Sequence, residues 1–156
     1  MGIKSYLEAV WLTKRQKTWR APALYLVAGT PFNLFTIAGG PVKIHALTAY
    51  LEGAITTAVT WHFLLGVTLL DAALFAAIGA AGTIVAVPLA NVALIAPAVA
   101  APSPSVLASA AEVRSILAAP AVITLNLAGA ANIDGLTSFC IEWERLSPES
   151  SVVPSP

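Results

Sequence analysis

Along much of the chain, apolar and polar side chains alternate one for one. In ITTAVTWHF (55–63), Ile55, Thr57, Val59, Trp61 and Phe63 fall on one side and Thr56, Ala58, Thr60 and His62 on the other. In VITLNL (122–127), Ile123, Leu125 and Leu127 alternate with Val122, Thr124 and Asn126. In SFCIEWER (138–145), Phe139, Ile141 and Trp143 alternate with Ser138, Cys140, Glu142 and Glu144. A period of two over β-branched and aromatic residues predicts half-buried strands. Turn-forming clusters separate the runs: AGGP (38–41), LEG (51–53), AAG (80–82), AGAANIDG (128–135) and LSPES (146–150). Short strands punctuated in this way predict a mainly β domain, an antiparallel β-sandwich or jelly-roll-like fold, over residues 31–147. Trp61 and Trp143 stand on inward faces and are expected in the core.

The middle of the chain breaks the rhythm. Between Asp71 and Glu112 no residue carries a formal charge. Two segments, 63–81 and 83–101, approach the length of about 20 apolar residues that a membrane helix needs. Against a helical hairpin at 63–101 stand Asp71 at the centre of the first segment and Asn91, Pro88 and Pro97 inside the second. An aspartate at mid-membrane costs about 3 kcal/mol on insertion scales, and prolines favour extended chain. The strand reading makes GTIVAVPL (82–89) an inner strand and NVALIAPAV (91–99) a further strand or an extended connector. LLDAALFAAIGAA (69–81) reads either as a short helix, with Leu70, Leu74 and Ile78 at i, i+4 spacing, or as a strand followed by an alanine-rich connection. PSPSVLASAAEVRSIL (102–117) reads as a loop with one helical turn.

Composition sharpens the choice. The chain has 156 residues, enough for one domain with its own core; 58% are hydrophobic and only 10% charged, against about 25% charged in an average soluble domain. A surface so poor in charge is expected to be covered by lipid or by other protein. The charges are also segregated. Residues 1–45 hold Lys4, Lys14, Arg15, Lys17, Arg20 and Lys43 against Glu8, whereas the remainder holds Arg114 and Arg145 against seven acids. A basic front on an acidic body predicts head-to-tail contacts between copies or an arm lying on an acidic partner. TKRQKTWR (13–20) is too short to make nucleic acid the expected partner. SYLEAVWL (5–12) is too short for a signal peptide and runs into charges, and the lone Cys140 fits a small buried hydrophobe in a protein made in the cytoplasm.

Candidate chemistry is sparse. His45 and His62 have no cysteine partner nearby, and a metal site needs three converging ligands. AGGP is a turn, not a phosphate cradle, and no nucleotide-binding or nucleophile-elbow motif occurs. Glu142 and Glu144 share one strand face and are expected to be solvated or ion-paired; Arg145, with Trp143, is expected to stack on that ring or to contact a neighbouring subunit. No catalytic, cofactor-binding or metal-ligating residue is therefore expected. The remaining signal lies in the basic, aromatic leader, residues 1–30. YLEAVWLTKRQKTWRAP (6–22) is compatible with an amphipathic helix, and tryptophan and arginine are the residues that anchor interfaces. Tyr6, Trp11, Lys14, Arg15, Lys17, Trp19 and Arg20 form the candidate interface of this extended N-terminal arm, and Arg145 that of the body. The arm is expected to fold back on its own domain, dock on a neighbouring subunit, or lie on a membrane surface. The proline-rich tail, residues 148–156, is expected to be an extended strap or a frayed end.

LFTIAGGPVKIHALTAYLEGAITT (34–57) and ITLNLAGAANIDGLTSFCIEWERLSPESSVV (123–153) together resemble the two ends of small β-rich structural proteins of tailed bacteriophages. The shared features are a strand, a GGPV turn, a second strand and a threonine-rich third strand, and later an Asn/Gly-rich turn, a strand with a tryptophan, Leu-Ser-Pro and Val-Val. The leader and the alanine content depart from that pattern. The resemblance implies a virion protein, most simply a capsid cement (decoration) protein that stabilises the head by protein–protein contact. A tail or head–tail connector component is the near alternative, and a small integral membrane protein with the 63–101 hairpin the distant one. The expected partners are the major capsid protein, or tail proteins, and further copies of the chain in a dimer or trimer; neither nucleic acid nor a membrane is expected.

Overall fold

The computed structural model describes residues 14–25, 31–70, 75–87, 89, 115–128 and 133–156. Eleven strands and no helix occur among them. One antiparallel sheet runs in the order β1 (Gln16–Tyr25), β10 (Ile133–Arg145), β3 (Val42–Leu51). Beyond β3, its fourth position is shared. There β7 (Ile84–Ala86) pairs with residues 48–50 of β3, and β8 (Ile116–Ala118) with residues 42–44. The second sheet runs β11 (Ser151–Pro154), β2 (Phe32–Ala38), β9 (Val122–Ala128), β4 (Ile55–Leu65), and then β5 (Thr68–Leu69) and β6 (Phe75–Gly79), which both pair with β4.

This connectivity is that of a jelly roll. Counting β5/β6 and β7/β8 as single positions, strand one pairs with strand eight (β1 with β10) and strand two with strand seven (β2 with β9). Strand three pairs with strand six (β3 with β7/β8), and strand four with strand five (β4 with β6). The chain is a long antiparallel ribbon rolled so that alternate strands fall into two facing sheets. The sandwich expected from alternation is therefore present, and its strand order selects the jelly roll.

The two inner faces make one core. From the second sheet come Leu34, Phe35, Ile37, Ile55, Trp61, Phe63, Ile123, Leu125 and Leu127; from the first, Val42, Ile44, Leu47, Ala49, Leu51, Phe139, Ile141 and Trp143. Trp61, Phe63 and Phe139 meet at its centre, with ring centroids 5.8–6.0 Å apart. Edge-to-face and tilted pairs of this kind add to the area they bury. On β3 the buried set slips from Val42 and Ile44 to Leu47, Ala49 and Leu51. The slip is a β-bulge: Glu142 faces Ala46 but Trp143 faces Ile44, which leaves His45 as the extra residue. Without it, every second residue beyond would point to the wrong side.

Three sequence readings change, and one is decided. GTIVAVPL does not supply an inner strand. The strand β7 is short and lies at the sheet edge, with Ile84 69% exposed, because bonds from Leu51 N to Thr83 O and from Gly82 N to Leu51 O turn the chain onto the free side of β3. The described residues within 63–101 form strands and the turns between them, in keeping with the strand reading: Gly66, at φ +61°, reverses the chain, and Leu70 N donates to Phe63 O to close a hairpin. No helix among the described residues is long and apolar enough to cross a membrane. Residues 116–118, read as part of a loop with a helical turn, form β8 because β3 offers an open edge there. The amphipathic helix with which 6–22 is compatible does not form from Gln16 onward, where the backbone pairs along β10. The NVALIAPAV segment lies outside the described residues. The tail is an extended strap, as expected: Ser151–Pro154 pairs with β2 at the sheet edge, where proline costs no ladder bond.

Candidate interaction face

Strand β1 holds two different sets of side chains because alternate residues face opposite ways. Thr18 and Arg20 face the seam between the sheets. Thr18 Oγ1 accepts from Trp143 Nε1 (3.0 Å) and donates to Val152 O (3.0 Å). Arg20 Nη1 donates to Leu34 O (3.2 Å) and to Ser155 O. Thr36 Oγ1 and Ser155 Oγ lie 2.9 Å apart in the same seam. These bonds fasten the edge of the first sheet to the edge of the second and tie both ends of the described chain together. Arg20, a candidate arm residue, is thus engaged within its own domain.

Lys17 and Trp19 face outward. Lys17 Nζ lies 2.7 Å from Glu142 Oε1 across the β1–β10 ladder. The hydrogen bond from Lys17 holds the Glu142 carboxyl below its ordinary range; burial opposes this, and the charges of Lys17, Arg15 and His45 reinforce it. The same bond raises the Lys17 ammonium above its ordinary value. On the neighbouring rung, His45 Nε2 lies 3.0 Å from Glu144 Oε2. The bulge that restores the core register also leaves His45 beside this carboxylate. Both glutamates are ion-paired or hydrogen-bonded strand-face residues, as expected.

Trp19 pairs with Cys140 in register and remains 58% exposed. Cys140 sits on the same outer face yet is buried, and burial pushes its thiol up. Such a thiol is a poor nucleophile at neutral pH. Beside them Trp19, Arg20, Ala21, Pro22, Tyr50, Glu52 and Ser138 line an open groove of about 410 Å³. Ser138 Oγ donates to Glu52 Oε1 (3.3 Å) within it. Around this groove the outer face carries three more large exposed side chains: Leu24 on β1, Leu136 on β10 and Ile84 on β7. The register places Ile84 opposite Tyr50 and Tyr50 opposite Ser138, so these side chains share one face. The face exposes apolar area beside a groove, and no group of three potential metal ligands occurs among the described residues.

The other candidate residues are distributed as follows. Lys14 and Arg15 are exposed just before β1. Arg145 lies 5.9 Å from the centroid of the Trp143 ring and donates from Nη1 to Pro148 O (3.2 Å), so it stacks on the ring as expected. Tyr6 and Trp11 lie outside the described residues. Sequence reasoning missed Leu24, Tyr50, Ile84 and Leu136. A period of two places each on a face but does not say which strands lie beside it, and the groove exists only where β1, β10 and β3 are brought together. The chain matches no protein-family model, no curated protein and no solved structure.

Proposed function

We propose that this chain is a non-enzymatic structural protein of a tailed-phage particle, a cement subunit that binds the outside of the head and strengthens it by protein–protein contact. The observation that carries the reading is the jelly-roll connectivity, an architecture used by viral shell proteins. The outer sheet face supports it: Trp19, Leu24, Ile84 and Leu136 are exposed around a groove, which is unfavourable for an isolated monomer and useful to a subunit covered by neighbours. Affinity in such a role comes from buried apolar area repeated over many copies, so weak single contacts suffice. The N-terminal residues Lys14, Arg15 and Lys17 supply a basic edge toward an acidic shell surface.

The test is reconstitution. Particles of the producing phage assembled without this protein are heated alone and after addition of the purified chain. The reading predicts that the protein sediments with heads and that its addition raises the temperature at which they release DNA. Recovery only in the tail fraction supports a tail or connector role instead. Recovery in the lipid fraction, or no association with particles, refutes the virion reading.

A further inference from the structure

We infer that the groove on the outer face of the first sheet is a ligand site for a quaternary, N-methylated ammonium group. The strand register builds the site. Trp19 on β1 and Tyr50 on β3 stand on the strands either side of β10, where Cys140 is the partner of Trp19 and Ser138 the partner of Tyr50. Two bulky aromatic side chains thus flank two small ones, which makes a trough. The positions of Trp19 and Tyr50 are two strand spacings apart across the sheet and two residues apart along it, roughly 9.6 and 6.6 Å. The midpoint is therefore about 5.8 Å from each, so a cation held there lies within the ~6 Å reach of both ring faces. The groove volume of about 410 Å³ falls in the range of about 300–1,000 Å³ usual for small-molecule sites.

The charge at the site calls for a cation. Glu52 supplies a carboxylate to the lining. Ser138, itself only 4% exposed, donates from Oγ to Glu52 Oε1 (3.3 Å), which fixes the carboxylate and leaves its second oxygen to a ligand. The nearest cations of the chain are committed elsewhere. Arg20 also lines the groove, but its guanidinium donates to Leu34 O and Ser155 O in the seam. Lys17, outward on the same strand, is paired with Glu142.

The apolar walls decide which cation. A primary ammonium brings three N–H donors and a guanidinium five. Beside Ala21, Pro22 and the two rings, the trough offers them few acceptors: the Glu52 carboxylate and the Tyr50 and Ser138 hydroxyls. Donors left unpaired on entering an apolar site cost affinity. A quaternary ammonium has no donor to satisfy. Its methyl groups pack on the apolar walls while its charge is attracted by the ring faces and by Glu52.

The inference stands apart from the virion reading, since it concerns the purified chain alone. Isothermal titration calorimetry with choline chloride at matched ionic strength is expected to show one-site binding, with a dissociation constant on the order of millimolar. Neohexyl alcohol, the neutral carbon isostere of choline, and n-butylammonium, which carries a primary ammonium, are each expected to bind at least about fivefold more weakly. Trp19→Ala and Glu52→Gln are each expected to weaken choline binding at least about fivefold, and Trp19→Phe to retain most of it. Glu52→Gln keeps an acceptor for Ser138 and is the second probe should Trp19→Ala fail to fold, with far-ultraviolet circular dichroism reporting the fold of each. No choline binding at concentrations about tenfold above the expected constant overturns the inference. So does a neutral isostere that binds as tightly as choline, which would make the groove a plain apolar recess. Tighter binding of n-butylammonium or of glucose overturns it as well, as does choline binding insensitive to both Trp19→Ala and Glu52→Gln.

Discussion

The ring contact between Phe63 and Phe139 spans the two sheets and lends itself to a quantitative test. Their centroids are 5.9 Å apart at an interplanar angle of 72°, and each also touches Trp61, at 6.0 and 5.8 Å. Phe63→Leu and Phe139→Leu keep the core apolar but remove one ring each. A single substitution deletes two of the three aromatic contacts, so at about 0.5–1.5 kcal/mol per contact it costs about 1–3 kcal/mol, plus a smaller packing loss. The double variant loses three contacts, whereas the sum of the singles counts four. The shared contact is counted twice, so the double should be less destabilised than the sum by about 0.5–1.5 kcal/mol. A domain with 5–15 kcal/mol of stability tolerates these losses, which keeps all four proteins of the cycle measurable. Urea unfolding followed by circular dichroism gives each free energy, and an unchanged m-value shows that the unfolding reaction is the same. Additivity within about 0.3 kcal/mol would show that the two rings do not meet, and would refute the face-to-face packing of β4 on β10.

Further predictions follow from the turns, the seam and the outer ladder. Gly66→Ala meets only the backbone cost of φ +61°, since nothing lies within 4 Å of the added Cβ, and is expected to cost about 1–2 kcal/mol in urea unfolding. Gly39→Ala adds a collision with the Glu149 carbonyl oxygen to a φ of +76° and is expected to cost more than about 3 kcal/mol; equal losses at the two glycines would contradict the close approach of these turns. Arg20→Lys removes the guanidinium that spans the Leu34 and Ser155 carbonyls and is expected to cost about 1–3 kcal/mol, with faster hydrogen exchange along β11; unchanged exchange there would contradict the seam. The Lys17–Glu142 pair sets a pH window. The lowered Glu142 carboxyl contributes stability above its unfolded value near 4.5, lost as pH falls through the folded value. The raised Lys17 ammonium contributes below its unfolded value near 10.5, lost as pH rises through the folded value. The stability difference between wild type and Glu142→Gln is therefore expected to be flat between these limits and to shrink outside them and in salt; a difference that persists well below pH 4.5 would refute the assignment.

What the sequence could reveal followed from period and turn chemistry. Alternation in β4, β9 and β10 identified Trp61, Phe63, Ile123, Leu125, Phe139, Ile141 and Trp143 as inward-facing, and they are buried. Such strands are long enough for a period of two to repeat, and glycine or proline marks their ends. β3 was harder, because the bulge at His45 shifts its buried set midway and destroys simple alternation. β7 and β8 have three residues each, too few to carry a period, and their existence depends on the open edge of β3. β1 was obscured by lysines and arginines compatible with a helix, and tertiary pairing to β10 overrode that preference. The exposure of Trp19 and the burial of Cys140, adjacent on one face, reflect how neighbouring side chains cover the sheet, which lies beyond any one strand's sequence.

A cryo-electron microscopy reconstruction of the particle that carries this protein tests the account most directly. It should show rolled two-sheet density on the outside of the head, with β1 beside β10. Density absent from the head, or residues 63–101 traced as two helices crossing a bilayer, would contradict it.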